Sequence, residues 1–141
     1  MNTTPRSTHC ILELNGCPSD LLNDHTFVCE AVKQASEQGL STLLEMSSHQ
    51  FYPQGVTVVG LLAESHISIH TWPEYGYAAV DVFTCGETAD PHRACRYLVA
   101  CFQASTHQLL TVPRGQGQQL PRPVFTQSMS AEEVALCPVQ S

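Results

Sequence analysis

Apolar and polar positions alternate at the start of the chain, Cys10, Leu12 and Leu14 against Ile11, Glu13 and Asn15. That is the two-residue period of a strand with one buried face. Leu21, Val28, Val32 and Ala35 then recur at helical spacing, and Gly39 follows as a stop signal. The pattern predicts a helix over about residues 23–38. Residues 41–48 read as a strand, Pro53-Gln54-Gly55 as a turn, and residues 56–63 as a nearly unbroken apolar strand. Residues 66–71 alternate cleanly and residues 77–83 form another apolar strand, so Trp72-Pro73-Glu74-Tyr75-Gly76 between them makes a hairpin-like connection. Asp90-Pro91 opens a second helix, with Asp as N-cap and Pro at the first helical position. It is expected to run to about Thr106 and to bury Ala94, Leu98 and Cys101 or Phe102. Residues 108–112 give a further strand. From Pro113 on, Pro, Gln, Gly and Ser accumulate, and a mobile tail is expected from about residue 115. Short strands in pairs with two helices predict an α+β fold: a two-layer α/β sandwich, mainly antiparallel, with two helices on one face. Residues 1–141 are read as a single domain.

Composition narrows the classes of function. Six basic residues against thirteen acidic ones give a net charge of −7, with Lys33 the single lysine. An acidic chain lacks the basic surface that nucleic acid or an anionic membrane requires, so neither is expected as a partner. No apolar run approaches the roughly 20 residues of a membrane span. Seven cysteines are an odd number, and the first residues carry no apolar signal core. Reduced thiols and a cytoplasmic location are therefore expected. His9, Cys10, His49, Cys85 and His92 contain neither a Cys-x-x-Cys nor a histidine pair at helical spacing, and no metal site is expected. A glycine-rich phosphate loop is also missing.

Chemistry concentrates in Ala63-Glu64-Ser65-His66-Ile67-Ser68-Ile69-His70-Thr71-Trp72-Pro73-Glu74 and, shortly after, Asp81-Val82-Phe83-Thr84-Cys85-Gly86. Strand alternation puts His66, Ser68 and His70 on one face and both isoleucines on the other. Histidine suits proton transfer near neutral pH. A serine hydroxyl is a weak nucleophile unless activated. If the turn strains the Glu64–Ser65 amide and donors stabilise an oxyanion, Ser65 can attack that carbonyl and convert the amide to an ester. Removal of the α-proton of residue 65 then traps the ester by elimination. Glu64 is left as a carboxylate and residue 65 as dehydroalanine, whose imine tautomer hydrolyses to a ketone. Taken singly, Ser65 is an ordinary turn residue, His70 a strand histidine, Cys85 a small buried residue and Glu74 a solvent-facing turn carboxylate.

These motifs together resemble the S-adenosylmethionine decarboxylases, in particular the short prokaryotic type, over about residues 9–114 and most densely over 51–86. The resemblance implies that Ser65 is the precursor of a self-derived pyruvoyl group, which takes the substrate amine as a Schiff base. Cleavage would give a β chain of residues 1–64 and an α chain of residues 65–141. By the same resemblance His70 is the processing proton acceptor, Cys85 the catalytic proton donor, and Glu74 the partner of the substrate ribose. Where the family usually has a processing serine, eight residues before the cleavage serine, this chain has Thr57, whose extra methyl stiffens χ1. Phe51 and Trp72 are candidates to stack on the adenine, beside the alternatives that Phe51 is core and Trp72 packs the hairpin.

What the resemblance implies is decarboxylation of S-adenosylmethionine for spermidine biosynthesis, by a homodimer of processed αβ units. Two other functions remain open on the sequence. An arginine or ornithine decarboxylase would share the fold and the cofactor, though Glu74 suits a ribose better. A non-catalytic regulatory relative would remain uncleaved, against the joint presence of Ser65, His70 and Cys85.

Overall fold

The structure, a computed structural model, describes residues 6–115 and the backbone of strand 124–129. Among the described residues seven antiparallel strands form one sheet: β1 (Ser7–Asn15), β2 (Leu43–Gln50), β3 (Val56–Leu62), β4 (Ser65–Trp72), β5 (Tyr77–Cys85), β6 (Thr106–Arg114) and β7 (Val124–Met129). Their order across the sheet is β2-β3-β4-β5-β1-β6-β7. Helices α2 (His25–Gln38) and α3 (Pro91–Cys101) pack together and against one face of that sheet. The architecture is therefore the expected two-layer sandwich, with a further single-turn helix α1 (Ser19–Leu22) that apolar spacing did not reveal.

The period of two decides which residues meet the helices. Val58, Ile69, Val80, Leu12 and Leu109 stand opposite one another on β3, β4, β5, β1 and β6 and are all buried. The helices close over this row with Val28, Val32, Leu98 and Phe102, all without solvent exposure. Phe102 meets Phe27 edge-on with ring centroids 5.4 Å apart. Truncating so large a buried ring costs about 3–5 kcal/mol, a large part of the 5–15 kcal/mol that holds a typical domain folded. Phe102→Ala should accordingly lower the midpoint of urea unfolding substantially, whereas a midpoint close to that of the parent would show the ring is dispensable.

The Asp90 cap forms where the sequence predicts it, Asp24 caps α2 without having been singled out, and the ends of elements depart from prediction for local reasons. Asp24 and Asp90 accept hydrogen bonds from the N–H groups of Phe27 (3.0 Å) and Arg93 (3.1 Å). Leu21, expected on the buried stripe of α2, lies in α1 and is partly exposed, and Leu22 is the buried residue there. The chain leaves α2 in a left-handed conformation at Leu40 (φ 58°), not at Gly39. Gly39 is small for another reason: a Cβ there would lie 3.0 Å from both the Ala94 Cβ and the Asp90 carbonyl oxygen. Helix α3 stops at Cys101, short of the expected Thr106, because Gln103 turns to φ 52° and Ser105 donates its N–H to the Asn15 carbonyl at 2.8 Å. Strand β2 sits two residues later than expected. Pro113, read as the start of an irregular tail, lies inside β6, which pairs with β7. Strand β7 itself lies in the tail expected to be mobile and is instead paired into the sheet, while residues 116–123 and 130–141 of that tail lie outside the described residues.

One sheet face carries no helix among the described residues. Thr57, Val59, Leu61, His66, Ser68, His70, Asp81, Phe83 and His9 point that way, as the buried-exposed alternation of their strands requires. At its centre Asp81 accepts hydrogen bonds from His9 (2.9 Å) and the Ser68 hydroxyl (3.3 Å). No helix among the described residues is long and apolar enough to cross a membrane.

Candidate active site

Ser65 opens β4 directly after the two-residue turn Ala63-Glu64 that joins it to β3. Its φ is 149°, a backbone region almost reserved for glycine. Holding a serine there stores on the order of 1–3 kcal/mol. Two hydrogen bonds hold the residue before it. The Glu64 carbonyl oxygen accepts the Cys85 backbone N–H at 2.9 Å, and the Glu64 carboxylate accepts the Thr42 N–H at 2.9 Å. The carbonyl joining residues 64 and 65 thus already faces a backbone donor, the arrangement that stabilises an oxyanion when a nucleophile adds. Cys85 itself is exposed at the end of β5, where Thr84 pairs with Ser65.

At the opposite end of β4 lies a cleft of about 360 Å³ lined by Phe51, Gln54, Gly55, Thr57, His70, Thr71, Trp72 and Glu74. Thr57 and His70 are cross-strand partners, and the Thr57 Oγ1 lies 2.9 Å from the His70 Nδ1. Trp72 stacks on Tyr77 at 5.3 Å, and Phe51 meets His49 edge-on at 4.6 Å. Phe51 is about half exposed (47%) and Trp72 is 40% exposed, so neither is core. Glu74 stands in the single 3-10 turn Pro73–Tyr75 that links β4 to β5. Burial, then the hydrogen bond to Glu13 and that carboxylate's charge, push the Tyr77 hydroxyl up to about 12.

The structure therefore gathers the sequence candidates into two groups. Glu64, Ser65 and Cys85 form one, at the β3–β4 turn, and Thr57, His70, Glu74, Phe51 and Trp72 form the other. Five residues of extended chain separate Ser65 from His70, roughly 16 Å at 3.3 Å per residue. Within one chain His70 does not reach the α-proton of residue 65.

The S-adenosylmethionine decarboxylase family model matches residues 8–115. The chain belongs to that family. It is 54% identical over 106 residues to a protein of Prochlorococcus marinus named S-adenosylmethionine decarboxylase proenzyme, covering 75% of this chain and 87% of the relative. A Thermodesulfovibrio yellowstonii protein of the same name is 39% identical over 121 residues, 83% of this chain and 90% of its own. The crystal structure of the adenosylmethionine decarboxylase of Aquifex aeolicus superposes with a TM-score of 0.76 at 32% identity, covering 85% of this chain and all but 1% of that one.

Two features of this decarboxylase-family chain were not legible beforehand. Thr42 anchors the Glu64 carboxylate through its backbone N–H, and no side-chain motif marks such a donor. Beneath α3, hydrogen bonding from Cys95, then from His92 and Thr111, holds the buried Cys10 thiol below its ordinary range, against its own burial. Cys95 is pushed up, first by its hydrogen bond to Cys10 and then by burial. These thiols lie on the helix side of the sheet, away from both groups.

Proposed function

We propose that this chain decarboxylates S-adenosylmethionine through a pyruvoyl group that it makes from Ser65 by cutting its own 64–65 bond. The product is decarboxylated S-adenosylmethionine for spermidine biosynthesis in the cytoplasm, and the cut leaves a β chain of residues 1–64 and an α chain of residues 65–141. The observation that carries this reading is the serine at φ 149° following a carbonyl already held by the Cys85 N–H.

Serine fits the self-derived group chemically, because one hydroxyl serves as nucleophile and then as leaving group. The Ser65 Oγ adds to the Glu64 carbonyl carbon, and the negative oxygen is held by the Cys85 N–H. The C–N bond breaks, leaving an ester and a free amine. Loss of the residue 65 α-proton expels the Glu64 carboxylate from Cβ. Water then hydrolyses the imine tautomer, ammonia departs, and a ketone remains at residue 65. Relief of strain at Ser65 favours leaving the amide. Held in this site, the α-keto amide supplies the electron sink for loss of carbon dioxide. Cys85 Sγ carries the proton that is returned to the substrate α-carbon. Phe51 and Trp72 offer aromatic faces to the adenine and the sulfonium, and Glu74 accepts from the ribose hydroxyls. That combination suits a nucleoside better than the short cationic chain of arginine or ornithine.

The separation of the two residue groups supports a homodimer whose sites are shared. The helix-free face exposes Val59, Leu61, Phe51 and Trp72, each at least 40% exposed, and such a face is normally covered. A second copy laid antiparallel on it would bring the Thr57–His70 pair of the partner subunit to the Ser65 and Cys85 of this one. Under a two-fold axis both sites are completed together.

Release of carbon dioxide from carboxyl-labelled S-adenosylmethionine tests the activity. The purified protein should release label and Ser65→Ala should release none. Equal turnover of arginine or ornithine would refute the substrate. Glu74→Gln should raise KM by roughly tenfold or more, because a hydrogen bond to a charged group is worth about 1.5–3 kcal/mol, with self-cleavage unchanged. A KM equal to the parent's would remove Glu74 from the substrate site.

A further inference from the structure

The cleft's aromatic wall is carried by a loop, residues 50–55, and that loop is fastened from outside the site. Asn23, the residue that ends α1, accepts through its Oδ1 from both ends of the loop: the Gln50 Nε2 at 3.1 Å and the Gly55 N–H at 2.9 Å. Gln50 Nε2 also donates to the Gly55 carbonyl at 2.9 Å, and the Phe51 N–H donates to that same carbonyl at 2.8 Å. Gly55 has φ 107°, and a Cβ there would lie 3.2 Å from the Thr71 carbonyl oxygen, so the loop returns close against β4. The residue before Asn23 completes the clamp. The Leu22 carbonyl accepts from the buried Thr71 Oγ1 at 2.7 Å, and Thr71 Oγ1 in turn accepts the Val56 N–H at 2.9 Å.

The same corner supports the opposite wall. Helix α1 packs on the Pro73–Tyr75 turn that bears Glu74, and the Cys17 N–H donates to the Gly76 carbonyl at 2.9 Å. A one-turn helix with no recognisable sequence signal is thus the platform on which both sides of the cleft rest.

We infer that Asn23 is a positioning residue for substrate recognition: its side-chain carbonyl closes the 50–55 loop and so sets Phe51 at the depth where the purine base stacks. This rests on the reading of the cleft as the nucleoside pocket. Asn23 touches neither Ser65 nor Cys85, so its loss should weaken binding of the nucleoside without slowing the chemistry.

The test uses the full self-cleaved protein, with S-adenosylmethionine as substrate and 5′-deoxy-5′-methylthioadenosine, the nucleoside thioether alone, as competitive inhibitor. Asn23→Leu removes the acceptor at similar volume. It should raise KM and the inhibition constant together by roughly tenfold, as two modest hydrogen bonds warrant, with kcat and the extent of self-cleavage within about twofold. Asn23→Asp keeps the acceptor and should restore both constants to within about twofold of the parent. Gln50→Leu removes one of the two donors and should raise both constants by about threefold, giving a readout even where Asn23→Leu does not fold. Phe51→Ala is measured in parallel. Unchanged KM in folded Asn23→Leu or in Gln50→Leu, while Phe51→Ala raises it, overturns the role of Asn23 alone. Asn23→Asp as impaired as Asn23→Leu overturns it too. An unchanged KM in Phe51→Ala instead refutes the nucleoside pocket itself.

Discussion

Co-expressing chains that carry Ser65→Ala with chains that carry His70→Ala should restore a cleavage that neither shows alone. The expectation follows from distance. Ser65 and His70 occupy opposite ends of β4, roughly 16 Å apart along an extended strand, and the Thr57–His70 hydrogen bond keeps the imidazole at its own end. The proposed shared site would remove that gap by placing His70 of the partner subunit against Ser65. In a mixed dimer one site joins an intact Ser65 to an intact His70, and the other has neither. Random pairing under a two-fold axis therefore cuts about half of the His70→Ala chains and no Ser65→Ala chain. Separating the chains by size on a denaturing gel, with a tag on one of them, reads this directly. If His70 served its own Ser65, the mixture would stay uncut.

Cys85→Ala separates the two reactions of the site. The Glu64 carbonyl is held by the backbone N–H of residue 85, which every amino acid except proline supplies. The variant should therefore still cleave to the two chains. The thiol is what alanine removes, and a positioned proton donor is worth about 10²–10⁴ in rate. Turnover of S-adenosylmethionine should fall by that factor while the fragments appear as in the parent. Full activity in Cys85→Ala would take the proton-donor role away from this residue. An uncut Cys85→Ala chain would mean that the thiol, and not only the backbone, serves the cleavage.

The layers of the fold were legible because periodicity reports burial directly. The two-residue alternation of His66 to His70 did predict which face the imidazoles take, and Asp90-Pro91 did mark the start of α3. Element ends were less legible, since a competitor in space decides them: the Ser105 N–H finds the Asn15 carbonyl, and α3 gives way to β6 before Thr106. In the candidate site, residue types in a motif could be read but their separation could not. A run of adjacent letters suggests a cluster, yet on a strand five residues are a long way and an odd offset changes face. Backbone donors leave no trace in the sequence, so the hold of Thr42 and Cys85 on Glu64 emerged only from the folded chain. Asn23 is a further case, a loop residue whose partners lie 27 and 32 positions away.

Everything proposed for the site depends on Ser65 becoming a ketone by self-cleavage. Denaturing intact-mass spectrometry of freshly purified protein and of its Ser65→Ala variant tests it most directly. Two fragments meeting between residues 64 and 65 are expected, the C-terminal one lighter by one ammonia than a fragment beginning with serine, with a single uncut mass for Ser65→Ala. A single uncut mass in both, after prolonged incubation, would contradict it.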